Sequence, residues 1–133
     1  MNSNYLYSEK THLINQAFYK VYNQLGFGFL EKVYENAMMI ELEKAGLQCT
    51  QQQLVKVYYD GKQVGYYYAD IIVEDKIIIE LKAAETLREE HEAQLVNYLR
   101  ASEIEVGILL NFGKKPQHKR RVLTAEYKNH KKT

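Results

Sequence analysis

The chain has 133 residues, 46% hydrophobic and 26% charged, the balance of one ordinary globular domain with room for a core but not for a catalytic domain plus a separate reader domain. Its longest apolar runs, Ile77–Ile79 and Gly107–Leu110, fall far short of the roughly 18 residues that span a bilayer, which excludes a membrane-spanning helix. The net charge of +1 hides an asymmetry: Lys114–Thr133 holds eight Lys/Arg against Glu126 alone, while the other 113 residues hold ten against sixteen acids, which argues against a protein that coats nucleic acid along its whole surface.

Met1–Lys10 lacks the basic start and apolar stretch of a secretory signal. Leu13, Ala17, Val21 and Leu25 recur every four residues, with Ile14 and Phe18 beside them, and predict a helix over Ser8–Leu25. Gly26-Phe27-Gly28 breaks it. Leu30, Val33, Ala37 and Ile40 then form the stripe of a second helix, about Leu30–Ala45, with Gly46 as its stop. Cys49 stands alone, so the chain has no internal disulfide and no Cys-based zinc site, which suits a reducing cytoplasm.

Extended segments follow. Leu54–Tyr59 alternates, Asp60-Gly61 is a two-residue hairpin turn, and Gln63–Val73 returns as the next strand. A tight turn leads into Lys76–Ala83. Thr86, with Glu89 three residues on, reads as a capping box that opens a third helix to about Ala101, with Leu95, Val96 and Leu99 toward the core. Val106–Phe112 is nearly continuous apolar, the mark of a strand covered on both faces. Residues 1–25 thus read as an N-terminal helix packed on the body, 26–121 as the body and 122–133 as a basic tail, all in one domain. The fold class is α/β, with a mixed four-stranded sheet flanked by helices.

Charges at the ends of apolar strands are the chemical signal. Asp70 ends Tyr68-Ala69-Asp70, and Glu80-Leu81-Lys82 ends the next apolar run, where charge is normally excluded. A three-residue turn, Glu74-Asp75-Lys76, pairs Asp70 with Glu80 and puts Lys82 on the same face, whereas a two-residue turn separates them. In the first register Asp70, Glu80 and the Leu81 carbonyl offer hard oxygens to Mg²⁺ or Mn²⁺, and Lys82 can orient a water or counter charge at a phosphodiester. The bland alternative is an ion pair at a solvent-facing strand end.

Other groups are candidates for substrate contact. On the third helix Leu87, His91, Gln94 and Tyr98 form one stripe, and its polar members suit a cleft as well as an ordinary boundary face. His91 on that stripe can approach a phosphate. Tyr66 and Tyr68 share the face of Asp70 and can stack on unpaired bases, or simply pack. Lys119, Arg120 and Arg121 follow the last strand and can meet a bound backbone.

Gly28-x-x-Glu31-x-x-Tyr34, Ala69-Asp70, Glu80-Leu81-Lys82-Ala83, Gln94-Leu-Val-Asn97-Tyr98, Asn111-Phe112-Gly113 and Lys119-Arg120 together resemble the GxxExxY protein family, a branch of the PD-(D/E)XK nuclease superfamily. The resemblance implies a restriction-endonuclease-like core of order αβββαβ behind an extra N-terminal helix. By the same resemblance Asp70, Glu80 and Glu31 are metal ligands, with Glu31 preferred to Glu35. It makes Lys82 the catalytic lysine, and Gln94 and Tyr98 the Gln-x-x-x-Tyr motif that borders the active site. Ala69 departs from the proline of the superfamily name.

The expected activity is Mg²⁺- or Mn²⁺-dependent phosphodiester hydrolysis on nucleic acid, DNA ahead of RNA, with no membrane partner. Two alternatives stand beside it. One is a catalytically silent module of the same fold that binds nucleic acid or a protein; the other is a Holliday-junction resolvase-like dimer. The bare sheet edge at Leu54–Tyr59 leaves a homodimer open.

Overall fold

Two amphipathic helices open the chain, α1 (Ser8–Leu25) and α2 (Glu31–Lys44). The computed structural model describes residues 6–132; the side chains of residues 129–133, His130, Lys131 and Lys132 among them, lie outside the described residues. After α2 come β1 (Cys49–Tyr59), β2 (Lys62–Val73), β3 (Ile77–Lys82), α3 (Glu89–Ala101), β4 (Val106–Phe112), β5 (Pro116–Val122) and α4 (Ala125–Lys132). The strands form one sheet in the order β1-β2-β3-β4-β5. Only β3 and β4 run parallel, with α3 as their crossover. Among the described residues no helix is long and apolar enough to cross a membrane.

Among the described residues the sheet has five strands, not four. Pro116–Val122 is basic, lacks an alternating apolar pattern and starts with the one proline, yet it pairs antiparallel with β4 along its length. These are the traits of a solvated edge strand, where proline needs no partner and lysine discourages edge-to-edge association. Beyond it, the segment that reads as a tail carries α4. There Lys128 is buried, and its ammonium donates to the carbonyls of Ser102 (2.9 Å) and Ile104 (2.6 Å) at the end of α3.

Each sheet face has its own core. On one side Ile14, Phe18 and Val21 of α1 and Tyr34, Met38 and Leu42 of α2 pack on Ile71, Val73, Ile77, Ile79, Ile108 and Leu110. On the other, Leu95 and Leu99 of α3 pack on Ala69, Ile72, Ile78 and Leu109. Gly107 has no side chain because a Cβ there would lie 2.7 Å from Leu95. The start of α3 differs from expectation. The helix begins at Glu89, and the His91 ring Nδ1 accepts the Arg88 N–H (3.1 Å). Thr86 lies outside the helix, where it accepts from Gln117 (3.5 Å).

Tyr34 anchors the turn into α2. Its ring stacks on Phe112 at 4.2 Å. Its hydroxyl donates to the Gly26 carbonyl (2.7 Å) and accepts from the Phe29 N–H (3.2 Å), so this tyrosine is core, whereas Glu31 is exposed. Tyr34→Phe keeps the stack and loses the hydroxyl, and should lower unfolding stability by about 1 kcal/mol. Tyr34→Ala should cost about 3–5 kcal/mol through the cavity it leaves; urea unfolding of both variants checks the order.

Candidate active site

The β2–β3 ladder runs Val73↔Ile77, Ile72↔Ile78, Ile71↔Ile79 and then stops. Glu74-Asp75-Lys76 is therefore a three-residue connection, with Glu74 and Asp75 in the left-handed region, and the register that brings Asp70 opposite Glu80 is the one adopted. Past Ile71 the two strands fork, and β3 continues beside β4 alone through Lys82↔Asn111.

Side chains take over the bonds that the ladder gives up. The Asp70 N–H donates to Glu80 Oε2 (2.9 Å), and the Leu81 N–H donates to Asp70 Oδ2 (2.9 Å). Buried backbone donors need acceptors, and here the acceptors are the two acids. The N–H and C=O of one strand residue point the same way, so the Leu81 carbonyl also faces this gap.

The other flank of β2 is broken at the same level. Gln51 pairs with Ile71 and Gln53 with Ala69, but Gln52, opposite Asp70, makes no pair and has φ +52°. Face alternation inverts there: Tyr67 and Ala69 lie on the α3 side, and so does Ile72, while Ile71 and Val73 face α1 and α2. A non-glycine residue in the left-handed region beside a cluster of acids is the kind of local strain that functional sites hold.

The acid of α2 that joins this network is Glu35. Glu35 is 4% exposed. Its Oε1 accepts from Gln52 (2.8 Å) and its Oε2 from Gln51 (2.6 Å) and Lys32 (2.8 Å). The same Gln52 amide reaches Asp70 Oδ1 at 3.2 Å, so Glu35 and Asp70 belong to one network. Glu31, a turn earlier, is exposed. Gln51 and Gln52, in the glutamine run at the start of β1, are the sequence signal for this network.

Burial raises the Glu80 carboxyl to about 8, with the negative charge of Asp70 adding to it; the Asp70 N–H and the Lys82 ammonium pull the other way. Burial also raises Asp70, against its bonds from Leu81 and Gln52. Lys82 is half-buried and makes no ion pair among the described residues. Among the described residues no three His, Cys, Asp or Glu side chains converge as a finished ligand set. The donors are nonetheless hard oxygens, of the kind a divalent cation takes, and the raised carboxyls register negative charge that a cation would relieve.

The α3 stripe borders the α3 side of the gap. Tyr98 stacks on Tyr67 at 3.6 Å, Tyr67 donates to the Tyr98 carbonyl (2.8 Å), and the exposed Gln94 donates to the Tyr98 hydroxyl. Burial raises the Tyr98 hydroxyl, and the charge of Glu80 adds to it. His91 sits at the mouth of α3, where its Nδ1 is committed to the Arg88 N–H.

The loop from Lys82 to α3 is pinned by residues whose role the sequence does not announce. Buried Asn111 exchanges bonds with the Ala84 N–H (2.9 Å) and C=O (3.0 Å), and Gln117 accepts from Asn111 and from the Leu87 N–H (both 3.1 Å). Gly113 is required by close approach, since a Cβ would meet the Ala84 carbonyl at 2.3 Å.

The basic run is dispersed. Arg120 donates to the Leu6 carbonyl (2.5 Å) beside α1, Arg121 pairs with Glu92 (3.3 Å), and Lys119 is exposed. Tyr66 and Tyr68 are exposed on the β1–β2 hairpin, edge to face at 5.9 Å.

A family model described as the PD-(D/E)XK nuclease superfamily matches residues 8–122. No curated protein matches the chain significantly. Among solved structures, the crystal structure of SSO0001 is similar with a TM-score of 0.54 at 18% identity, over 76% of this chain and 56% of that one. At that identity the likeness is one of fold, and the chain spans little more than half of that structure's length.

The raised carboxyls set a pH dependence. Folded Glu80 keeps its proton up to about 8 against an ordinary value of 4.5. Between those pH values the folded state therefore binds more protons than the unfolded one, and stability falls as pH rises. In chelator-treated protein the melting temperature should drop from pH 5 to pH 9. Glu80→Gln, which mimics the protonated acid, should flatten the profile and be the more stable form at pH 9. A flat profile for both proteins would contradict the burial of charge at this site.

Proposed function

The chain belongs to the PD-(D/E)XK nuclease superfamily, and on that premise we propose that it is a Mg²⁺- or Mn²⁺-dependent nuclease that hydrolyses phosphodiester bonds in DNA. One observation carries this reading: Asp70 and Glu80 meet where β2 and β3 fork, with Lys82 two residues on and Glu35 joined through Gln52. Asp70, Glu80, the Leu81 carbonyl and Glu35 would hold the cation. Bound there, it would lower the pKa of the attacking water and neutralise charge on the scissile phosphate.

The chain's own groups do the rest. Water attacks phosphorus in line and gives up a proton to solvent, the opposite P–O ester bond breaks, and the departing oxygen takes a proton from solvent. The Lys82 ammonium, without an ion pair among the described residues, orients the water and counters charge on the nonbridging oxygens. Tyr98, held by its stack on Tyr67, and Gln94 line the α3 side of the gap, where they position the sugar-phosphate.

The substrate contacts favour unpaired strands. Leu54 and Lys56 lie opposite Tyr68 and Tyr66 on the exposed hairpin face, and two tyrosine rings with a lysine suit bases that are free to stack. With Arg120 on the Leu6 carbonyl and the exposed Arg121 paired with Glu92, Lys119 is the phosphate contact of that run, which weakens the case for duplex binding by charge alone. His91 reaches a phosphate, in this reading, only through the ring nitrogen not bonded to Arg88.

Asp70→Ala, Glu80→Ala and Lys82→Ala should each lower Mn²⁺-dependent cleavage of labelled single-stranded DNA by at least about 100-fold while the circular dichroism stays that of the parent. Glu35→Gln should fall with them and Glu31→Gln should cleave at the parent rate. Cleavage by Asp70→Ala at the parent rate would overturn the reading.

A further inference from the structure

Three consecutive glutamines, Gln51-Gln52-Gln53, lie near the start of β1. Gln51 and Gln53 keep their places in the ladder; Gln52 leaves it and takes up a left-handed backbone, φ +52°. That conformation costs a non-glycine residue on the order of 1 kcal/mol, so a compensating contact is expected. The contact is the side-chain amide. Nε2 lies 2.8 Å from Glu35 Oε1 and 3.2 Å from Asp70 Oδ1, and an amide NH₂ has one hydrogen for each acid.

The amide thereby does what a positive charge between two carboxylates would do. It offsets their repulsion and holds them a fixed distance apart. Glu35 Oε2 is already engaged by Lys32 (2.8 Å) and Gln51 (2.6 Å), and Glu35 Oε1 and Asp70 Oδ1 are the oxygens that Gln52 engages. An ion that ligates both acids through those oxygens competes with the amide for them. Gln52 is itself exposed, and its amide can turn out into water without burying a polar group.

We propose that Gln52 is a positioning residue that competes internally with the cation: its amide bridges Glu35 and Asp70 in the metal-free protein and leaves before both acids bind one ion. This rests on the reading of Asp70 and Glu35 as ligands. Its consequence runs opposite to a merely structural role. Removing the amide raises the energy of the metal-free state, where two charge-assisted hydrogen bonds are lost, and leaves the loaded state unaffected, so the cation binds more tightly.

The test is Mn²⁺ affinity of the full chain by calorimetry, without nucleic acid, for the parent, Gln52→Ala, Gln52→Gly and Asp70→Asn. Gln52→Gly suits the positive φ and keeps the measurement sound if Gln52→Ala folds poorly. Both Gln52 variants should bind Mn²⁺ about tenfold more tightly, and Asp70→Asn should abolish binding. Unchanged or weaker affinity in both Gln52 variants overturns the competition and leaves the cation site standing. No binding by parent and Gln52 variants alike removes the site, and the competition with it.

Discussion

A sheet that loses its ladder on both flanks of one residue must find other partners for the backbone groups it frees. At Asp70 the β1 side loses Gln52 and the β3 side ends at Ile71↔Ile79. The Asp70 and Leu81 N–H groups are satisfied by the carboxylates of Glu80 and Asp70 in turn. The acids thus complete the backbone's hydrogen bonding at the fork, and the same bonds fix where their oxygens lie. Burial of both acids in one gap suppresses ionisation, which is why Glu80 and Asp70 are both raised. Local backbone demand and site chemistry therefore have one cause.

The rest of the fold holds the fork open. Phe112 at the end of β4 takes the Tyr34 ring of α2 on one side and Phe18 of α1 edge-on at 4.9 Å, so α2, and with it Glu35, is set against the end of the parallel pair. Asn111 and Gln117 tie down the loop that leaves Lys82, and Gly113 lets that loop approach β4 closely. Tyr67 and Tyr98 join the hairpin to α3 beyond the gap. These contacts pack α2, α3 and the loop after β3 around the acids.

Much of this was legible in the sequence, for physical reasons. Period-four apolar spacing placed α1 at its observed bounds, Asp60-Gly61 supplied the positive φ values of its turn, and the demand that Asp70 face Glu80 selected the three-residue connection. What escaped were features that no apolar pattern marks. β5 is a basic edge strand without apolar alternation, so its sequence does not read as a strand. Which acid of α2 meets the sheet hangs on helix orientation: Glu31 and Glu35 are a turn apart, and packing makes Glu35 the buried one. Gln52 and Asn111 act through bonds to residues distant in sequence, Asn111 to Ala84 and Gln52 to Asp70, which no local spacing reports. Thr86 had the right type for a cap, but its hydroxyl is engaged by Gln117 and the helix starts three residues later.

Whether the fork between β2 and β3 holds the proposed cation can be read by anomalous diffraction from crystals soaked in Mn²⁺. A peak is expected in the gap between Asp70 and Glu80, with Glu35 drawn in and the Gln52 amide turned away from both Glu35 and Asp70. Ordered Asp70 and Glu80 side chains with no anomalous peak between them, in crystals soaked at millimolar Mn²⁺, would contradict the proposed site.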